Sequence, residues 1–217
     1  MREQHNPLAG ATDASRSRGP ADESDVDGWD AAITRRAALL ATGTAATVAL
    51  AGCLGGDGGE PPAAVAIQSD WSCDKCGMVI TNHPGPNAEI FYADERPNDH
   101  DNPARFCSTW EAFQYDFEKR DDGWTREAFY VTDYSTVDYD VFEEDGDTLI
   151  TSHTGARSFA DATTVTFVVA SDVKGAMGKD LIGFTDDADA EDFAAEYGGD
   201  VLDFDEVTRD TVAGLGM

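Results

Sequence analysis

The sequence predicts an α+β domain built from two pseudo-repeated ββαβ units. After residue 63, segments with strand or helix character follow one another twice in the same order: strand, strand, helix, strand. Each predicted helix is short, and a glycine turn, at Gly123 or at Gly198-Gly199, separates it from the last strand of its unit. Only the order of the elements is repeated, since the two halves share almost no sequence identity.

The first unit contains three predicted strands rich in aromatic and β-branched residues, at 88–94, 104–107 and 127–134. The helix of this unit begins after Ser108, since Ser108 and Glu111 form the Ser-x-x-Glu pattern of a capping box. Helical spacing places Trp110, Phe113 and Phe117 on one face of this helix, which we expect to end near residue 120.

The second unit again contains three predicted strands, at 163–171, 180–185 and 200–204. The first of these is a nearly continuous β-branched run, which is typical of a buried strand. A helix is predicted over 189–197, with Phe193 and Tyr197 four residues apart on its apolar face.

Residues 1–52 are predicted to be a disordered N-terminus that ends in an export signal. The twin arginines Arg35 and Arg36 precede an uncharged run over residues 37–52, and the Leu-Ala-Gly before Cys53 resembles a lipoprotein cleavage site. A transmembrane anchor is the alternative, but the run of 16 residues is shorter than the roughly 20 apolar residues that a membrane span needs. We therefore expect twin-arginine export, cleavage and a lipid on Cys53.

Cleavage at this site divides the remaining chain into three parts. Residues 53–62 form a flexible lipid-anchored tether, residues 63–208 the folded domain and residues 209–217 a tail. The predicted location is extracytoplasmic, at the cell membrane. Lipidation of Cys53 leaves Cys73, Cys76 and Cys107, and an odd number means that at least one thiol is free or bound to a metal.

The chain is strongly acidic, with 15 basic and 43 acidic side chains and a formal net charge of −28. We interpret the evenly spread acidity as adaptation to a halophilic habitat, where carboxylates stay hydrated and their repulsion is screened. A calcium site is not indicated, because no Asp-x-Asp-x-Asp-Gly loop with a glutamate at its twelfth position occurs. Nucleic-acid binding is not expected, since the few Lys and Arg side chains form no basic stripe.

The Cys73-x-x-Cys76 pair has several possible roles. A thioredoxin-like redox pair is disfavoured, because β-branched residues and prolines follow where a helix should begin. A structural zinc site would need Cys107 and a histidine as further ligands, since the chain has no second paired motif. A Cys73–Cys76 disulfide stays open in an oxidising compartment.

Two methionines lie where ligands for a soft metal are expected. Met78 follows Cys76 by two residues, so both side chains face the same way in an extended segment, and Gly77 lets the backbone pass close to a bound atom. Met177 lies in a glycine-flanked connection between two predicted strands, where little is available to pack against. Thiolate and thioether together select Cu(I), although packing in the core is the ordinary role of a methionine such as Met78.

Several motifs of this chain occur in the same order in a known family. Cys76-Gly77-Met78 is followed by Pro-Gly-Pro-Asn-Ala-Glu-Ile at 84–90, Tyr-Val-Thr-Asp-Tyr at 130–134 and Ser-Asp-Val-Lys-Gly-Ala-Met-Gly at 171–178. The chain closely resembles the NosL family, the nitrous oxide reductase accessory lipoproteins, over residues 72–207. The resemblance implies a Cu(I)-binding chaperone without catalysis of its own and a fold similar to that of organomercurial lyase.

The resemblance also implies a set of ligands, which by position are Cys76, Met78 and Met177. Asp74 matches an acidic position near the metal in some members, although a carboxylate is a hard ligand for Cu(I). Cys107 stands where many members have no cysteine, so it is either a third thiolate or a buried thiol of the core. Cys73 recurs in members without being the main ligand.

The partners implied by the resemblance are apo nitrous oxide reductase, a copper transporter of the same system, and the membrane through the lipid anchor. Two other functions compete with this one. A structural zinc-binding lipoprotein would use Cys73, Cys76, Cys107 and a histidine. A metal–thiolate enzyme of the organomercurial lyase type would use Cys76, Cys107 and Asp74.

Overall fold

Nine strands and three helices form the described part of the chain, residues 60–101 and 103–216 of a computed structural model. The α+β class predicted from the sequence is confirmed. Within these residues, no helix combines the length and the apolar character that a membrane crossing requires. The predicted export and lipidation residues Arg35, Arg36 and Cys53 lie outside the described residues, so these assignments stay predictions.

The strands are β1 (Ala88–Ala93), β2 (Ala104–Phe106), β3 (Thr125–Thr132), β4 (Val141–Glu144), β5 (Asp147–Ile150), β6 (Phe159–Asp161), β7 (Thr166–Gly175), β8 (Gly178–Phe184) and β9 (Asp200–Asp203). The helices are α1 (Thr109–Asp121), α2 (Asp187–Tyr197) and α3 (Arg209–Ala213). Every strand and both long helices that the sequence predicts are present, with boundaries that differ by a few residues.

The strands form two sheets that share one pairing scheme. In the first sheet the order is β2-β1-β3-β6, and all neighbouring strands are antiparallel. In the second sheet the order is β4-β5-β7-β8, with β9 also paired to β7. Thus β1 pairs antiparallel with β2 and β3, while β7 pairs antiparallel with β8 and β9.

Local hydrogen bonds explain where two boundaries differ from the prediction. We expected a strand from residue 163, but Asp161 accepts from Thr163 N at 2.9 Å and from Thr163 Oγ1 at 2.7 Å. These hydrogen bonds stabilise a 3-10 helix at Ala162–Thr164, so β7 begins only at Thr166. Helix α2 begins two residues early because Asp186 caps it by accepting from Ala188 N at 2.9 Å.

The sequence analysis missed four elements: β4, β5, β6 and α3. The turn between β4 and β5 is Asp145-Gly146, with φ angles of 53° and 90°, and Asp-Gly is a strong hairpin signal. Helix α3 lies in the predicted tail, where Val212 is buried and its carbonyl accepts from Trp110 Nε1 at 2.7 Å.

Helix α1 is fixed between the two sheets by an aromatic core. The ring centroid of Phe113 lies 4.9 Å from that of Phe129 on β3 and 5.6 Å from that of Phe167 on β7. Trp110 and Phe117, on the same predicted face, are partly buried against this core. Because α1 contacts both sheets, the side chains at its first turn have well-defined positions.

Candidate metal centre

The Cys73–Cys76 pair lies in a tight turn between two short extended segments. Cys73 N donates to Met78 O at 2.8 Å, and Gly77 N donates to Cys73 O at 2.9 Å. Gly77 has a φ of 79°, a left-handed conformation that glycine adopts without strain. The extended conformation expected for residues 76–78 is therefore wrong, because the chain reverses direction within the motif.

Cys107 and Glu111 lie on either side of the N-terminus of α1. Ser108 caps the helix as predicted, by accepting from Glu111 N at 3.3 Å. The Glu111 carboxylate points toward the thiols, with Oε2 3.1 Å from Cys73 Sγ and 3.2 Å from Cys107 Sγ. The sequence therefore predicted the helix start correctly but did not identify Glu111 as part of the site.

Asp180 of β8 holds this helix start in place. Its carboxylate accepts from Ser108 Oγ at 2.7 Å, from Trp110 N at 2.8 Å and from Leu181 N at 2.8 Å. Burial raises the pKa of Asp180 to about 7, while these three donors oppose that shift. The two ligand positions on α1 are thus supported by a buried network that reaches the second sheet.

Three thiols and one carboxylate converge at this point of the fold. One ligand atom from each of Cys73, Cys76, Cys107 and Glu111 lies within 4.8 Å of the others. Cys76 Sγ is 3.5 Å from Cys107 Sγ, and all three thiols are free rather than joined in a disulfide. We call these four side chains the thiol cluster; Cys76 is its exposed member, and the other three are buried.

The three thiols of the cluster differ in acidity, and Cys73 has the lowest pKa. The hydrogen bond from the Cys107 thiol lowers the pKa of Cys73 to about 5, assisted by backbone amides of Cys76, Cys107 and Lys75. As the donor to Cys73, and because it is buried, Cys107 has a raised pKa. Although Cys76 is the exposed member, partial desolvation of its thiol by the neighbouring side chains, with the negative charge of Cys73, raises its pKa to about 11. Four neighbouring acids in a buried site cannot all ionise unless a cation compensates their charge.

Burial also raises the pKa of Glu111 to about 7, and the negative charge of Cys73 acts in the same direction.

Cys107 and Glu111 are four residues apart, one on each side of a predicted helix start. The predicted capping box already directs the Glu111 side chain back toward the N-terminal end of α1, where Cys107 lies, so this spacing was a signal that sequence reasoning passed over.

The two predicted methionine ligands pack against the core that contains Cys73 and Cys107. Met78 is partly buried there, immediately after the Cys73–Cys76 turn. Met177 is in the two-residue turn Ala176-Met177 between β7 and β8, as predicted, but it is partly buried against the core, so the expectation that it has little to pack against is wrong. Asp180, three residues after Met177, bonds Ser108 beside Cys107. The turn is thus attached through β8 to the end of α1 that holds the thiol cluster.

Asp74, a further predicted ligand, takes part in a separate network. Its Oδ1 lies 2.8 Å from Asn98 Nδ2 and 2.8 Å from His100 Nε2, and its Oδ2 accepts from Arg105 N at 2.8 Å. These contacts tie the Cys73–Cys76 turn to β2 and to the segment before it. The structure therefore places Asp74 in a role of holding the turn, outside the thiol cluster.

A histidine was expected as the fourth ligand of a zinc site. In the described residues, the one group of three or more potential metal-binding side chains is the thiol cluster, and it contains no histidine. His100 bonds Asp74, and His153 lies 3.2 Å from Thr151 Oγ1. The fourth donor beside the three cysteines is Glu111.

Comparisons with known proteins agree with this fold. The NosL family model matches residues 64–212. The copper-binding lipoprotein NosL of Stutzerimonas stutzeri is 29% identical over 145 residues, which cover 67% of this chain and 66% of that protein, a little under two thirds of its length.

A solved structure shows the same fold. The crystal structure of the copper chaperone NosL from Shewanella denitrificans superposes with a TM-score of 0.56 at 30% identity, covering 70% of this chain and 99% of that one. The family match spans well over half of the chain. The chain therefore belongs to the NosL family.

Proposed function

We propose that this protein is an extracytoplasmic Cu(I) chaperone. The observation that carries the proposal is the exposed thiol of Cys76 at the edge of a buried group of thiols. An exposed sulfur is accessible to an acceptor protein, and Cu(I) takes the place of its proton on binding, while the buried residues behind it limit access by water and oxidants. Soft sulfur donors select Cu(I) among the biological metals.

The proposed Cu(I) ligands are Cys76, Met78 and Met177. One thiolate and two thioethers leave the coordination shell of Cu(I) open, so that the ligands of an acceptor can enter before those of the donor leave. Support for this set comes from two hydrogen-bond links: Cys73 N donates to Met78 O at 2.8 Å, and Asp180, three residues after Met177, accepts from Ser108 beside Cys107. Cys73 and Cys107 are available as additional thiolates.

The proposed acceptor is apo nitrous oxide reductase, and the proposed donor is a copper transporter of the same system. Export through Arg35 and Arg36 and a lipid on Cys53 would confine the chaperone to the membrane surface where both partners act. Confinement by a tether raises effective concentration without any new contact. The curated relative is itself described as a copper-binding lipoprotein.

We further propose that the fold arose by duplication of a ββαβ unit and is related to the organomercurial lyase fold. The shared pairing scheme supports this, since β1 and β7 each pair antiparallel with the next two strands of their own unit. A helix, α1 or α2, lies between those two strands in both units.

A Cu(I) competition titration against a chromophoric chelator tests the ligand set. Cys76→Ser should cause the largest loss of affinity, because a hydroxyl is a poor Cu(I) ligand. Met78→Ala and Met177→Ala should each cost about 1–3 kcal/mol, comparable to losing one good contact. Leu215→Ala is the matched control, since Leu215 is also partly buried against this core. Equal affinities for the wild type and the Cys76 variant would refute the proposal.

Anchoring is tested separately by cell fractionation. Cys53→Ser should release the exported domain into the soluble fraction, and the double variant Arg35→Lys with Arg36→Lys should leave it in the cytoplasm. Normal export of the double variant would show that the twin-arginine assignment is wrong.

The same geometry favours a second candidate, a metal–thiolate enzyme of the organomercurial lyase type. Cleavage of a carbon–mercury bond needs two thiolates to hold mercury and an acid to protonate the leaving carbon. Cys76 and Cys107 provide two sulfurs 3.5 Å apart, and the nearby acid is Glu111 rather than the predicted Asp74. Hydrocarbon release from a phenylmercury salt, lost in Cys107→Ser, would establish this activity. No release above the rate of that variant would exclude it.

A further inference from the structure

The geometry points to a binding site for a small alkylammonium cation, in the cavity between helix α2 and the segment that joins β3 to β4. The cavity has a volume of about 310 Å³, at the lower end of the range for ligand sites. Its lining residues are distinct from the thiol cluster and from the proposed copper ligands. The inference therefore does not depend on the proposed copper function.

Four aromatic rings line this cavity in a continuous row. The ring centroid of Tyr139 lies 5.2 Å from that of Tyr134 and 6.4 Å from that of Phe193, and Phe193 lies 4.8 Å from Tyr197. Tyr134 and Phe193 are buried, whereas Tyr139 and Tyr197 are only partly buried. The rings of Tyr139 and Tyr197 therefore keep surface that a ligand can contact, and the face of an aromatic ring attracts cations.

Three carboxylates of α2 line the same cavity, those of Asp189, Asp192 and Glu196. Their spacing of three and four residues places them on the helix face that also carries Phe193 and Tyr197. A surface helix usually keeps its acidic side chains on the face opposite to its aromatic residues. Here the two kinds of side chain share one face, so the cavity combines ring surface with negative charge.

The carboxylates act directly on the rings. Burial raises the pKa of Tyr139, and the negative charges of Asp189 and Glu196 add to this shift. Within the part of the chain that the structure describes, no lysine or arginine forms an ion pair with Asp189, Asp192 or Glu196. The protein itself therefore leaves the negative potential of the cavity uncompensated, and a cation from solution is the complementary ligand.

The arrangement fits an organic cation better than a metal ion. A metal ion needs donor atoms that converge, and in residues 60–101 and 103–216 the one convergent group of such side chains is the thiol cluster. The three carboxylates of the cavity are thus too far apart to hold one metal ion. An alkylammonium ion is larger, and it can contact the rings and the carboxylates together.

A free cation fits better than the headgroup of a phospholipid. A choline headgroup carries a phosphate beside its ammonium group, and the carboxylates of the cavity repel that phosphate. The contact with the rings acts over a short distance, whereas attraction by exposed carboxylates is screened by salt. The aromatic contribution to binding should therefore persist in molar salt.

Binding is tested on the full-length protein by isothermal titration calorimetry, with choline chloride and with the neutral carbon isostere of choline as probes. Choline should bind one equivalent, and the isostere should bind at least about 10-fold more weakly because it lacks the charge. Tyr139→Phe keeps the ring and should keep the affinity. Tyr139→Leu removes the ring but keeps an apolar side chain, so it should weaken choline binding about 5- to 30-fold.

The carboxylates are tested with a matched pair of variants on α2. Glu196→Gln should weaken choline binding about 3-fold in dilute buffer and less in molar salt. Glu191→Gln removes the same charge from an exposed position of the same helix that does not line the cavity, so it should leave the affinity unchanged. Equal losses in the two variants would reduce the effect to the general acidity of the chain and overturn the role of Glu196.

The cation site is refuted if choline does not bind, if the neutral isostere binds as tightly, or if folded Tyr139→Leu binds as the wild type does. Because Tyr139 packs against the second core, its variant can fail to fold, so far-UV circular dichroism checks each protein and Tyr197→Leu serves as a second ring variant. Two further probes separate other sources of the cation. Tighter binding of glycerophosphocholine would assign the cavity to a lipid headgroup, and tighter binding of methylguanidinium would assign it to an arginine of a partner protein; either result overturns the free alkylammonium ligand.

Discussion

The two long helices begin at corners of similar construction, but among the described residues only the first corner belongs to a cluster of metal-binding side chains. At the α1 corner, residues 107–111, Asp180 accepts from Ser108 Oγ at 2.7 Å and from Trp110 N at 2.8 Å. At the α2 corner, residues 185–189, Asp133 accepts from Thr185 N at 3.0 Å and from Thr185 Oγ1 at 2.7 Å.

A buried aspartate thus supports each helix start from another element, since Asp133 is 3% and Asp180 1% exposed. The α1 corner adds Cys107 and Glu111 to this frame, whereas the α2 corner has Thr185 and three aspartates that belong to no cluster of metal-binding side chains in the described residues. The aspartate-supported helix start is therefore common to both units of the fold. The side chains of the thiol cluster occur at only one of the two helix starts.

The largest expected effect on stability comes from removing either of the two buried aspartates. Asp180→Ala and Asp133→Ala each leave three buried or partly buried donors without an acceptor. Both variants should lose about 3–5 kcal/mol of unfolding free energy in urea titrations.

Metal affinity should then distinguish the two corners. In buffers where both aspartate variants remain folded, the Asp180 variant should bind Cu(I) about 10–100 times more weakly, because it loses support for Cys107 and Glu111. The Asp133 variant should bind as the wild type does. Equal losses in both variants would mean that the α1 corner has no special role.

The next effect is the pH dependence of stability caused by Glu89 on β1, a buried carboxyl group of the first unit. Glu89 is fully buried and accepts from Val65 N at 2.8 Å, and burial raises its pKa to about 8. The folded state therefore keeps a proton that the unfolded chain releases near pH 4.3. Stability from this group is complete below that pH and is lost as the pH rises through about 8.

Urea titrations between pH 5 and 7.5 should show a decrease of about 3 kcal/mol in the wild type that Glu89→Gln lacks. Molar salt in all samples screens the repulsion among the many surface carboxylates, which otherwise adds its own pH dependence. In the second unit, the second residue of β7 is the buried, apolar Phe167, whereas the second residue of β1 is Glu89. The second unit therefore contributes no such pH dependence from this position. Parallel pH profiles for the wild type and the Glu89 variant would contradict the burial of an uncharged Glu89.

A smaller effect is expected from the caps of the two helices. Ser108→Ala and Asp186→Ala each remove an N-cap acceptor and should cost about 1 kcal/mol in thermal or urea unfolding. Only Ser108→Ala should also weaken Cu(I) binding, since Ser108 adjoins Cys107 and links it to Asp180. A change in Cu(I) affinity in the Asp186 variant would show that the two corners are coupled.

The smallest effect on stability is expected at Met177, the proposed ligand that the second unit contributes. Met177 is in a turn and partly buried, so Met177→Ala should cost about 1 kcal/mol or less of unfolding free energy. Ile182→Ala, at a fully buried position of the adjacent β8, should cost about 2–5 kcal/mol. A loss in the Met177 variant as large as that of Ile182→Ala would identify Met177 as a core residue.

Much of the fold could be predicted because its signals are local. Ser108 caps α1 and Gly198 follows α2, and both assignments depend on neighbours within a few residues. The missed β4–β5 hairpin had a local signal as well, Asp145-Gly146. The short strand β6 and helix α3 depend instead on their partners, β3 and α1, which local propensity does not contain.

By itself, the sequence determined most of the elements, their order and the presence of a sulfur-rich turn, since backbone conformation and side-chain periodicity follow from nearby residues. Only the tertiary structure decided which side chains meet. Cys73 and Glu111 are 38 residues apart, and Cys76 and Cys107 are 31 apart. They converge because β2 pairs with β1 and α1 packs between the sheets, and such long-range packing leaves no pattern in the chain that spacing alone reveals.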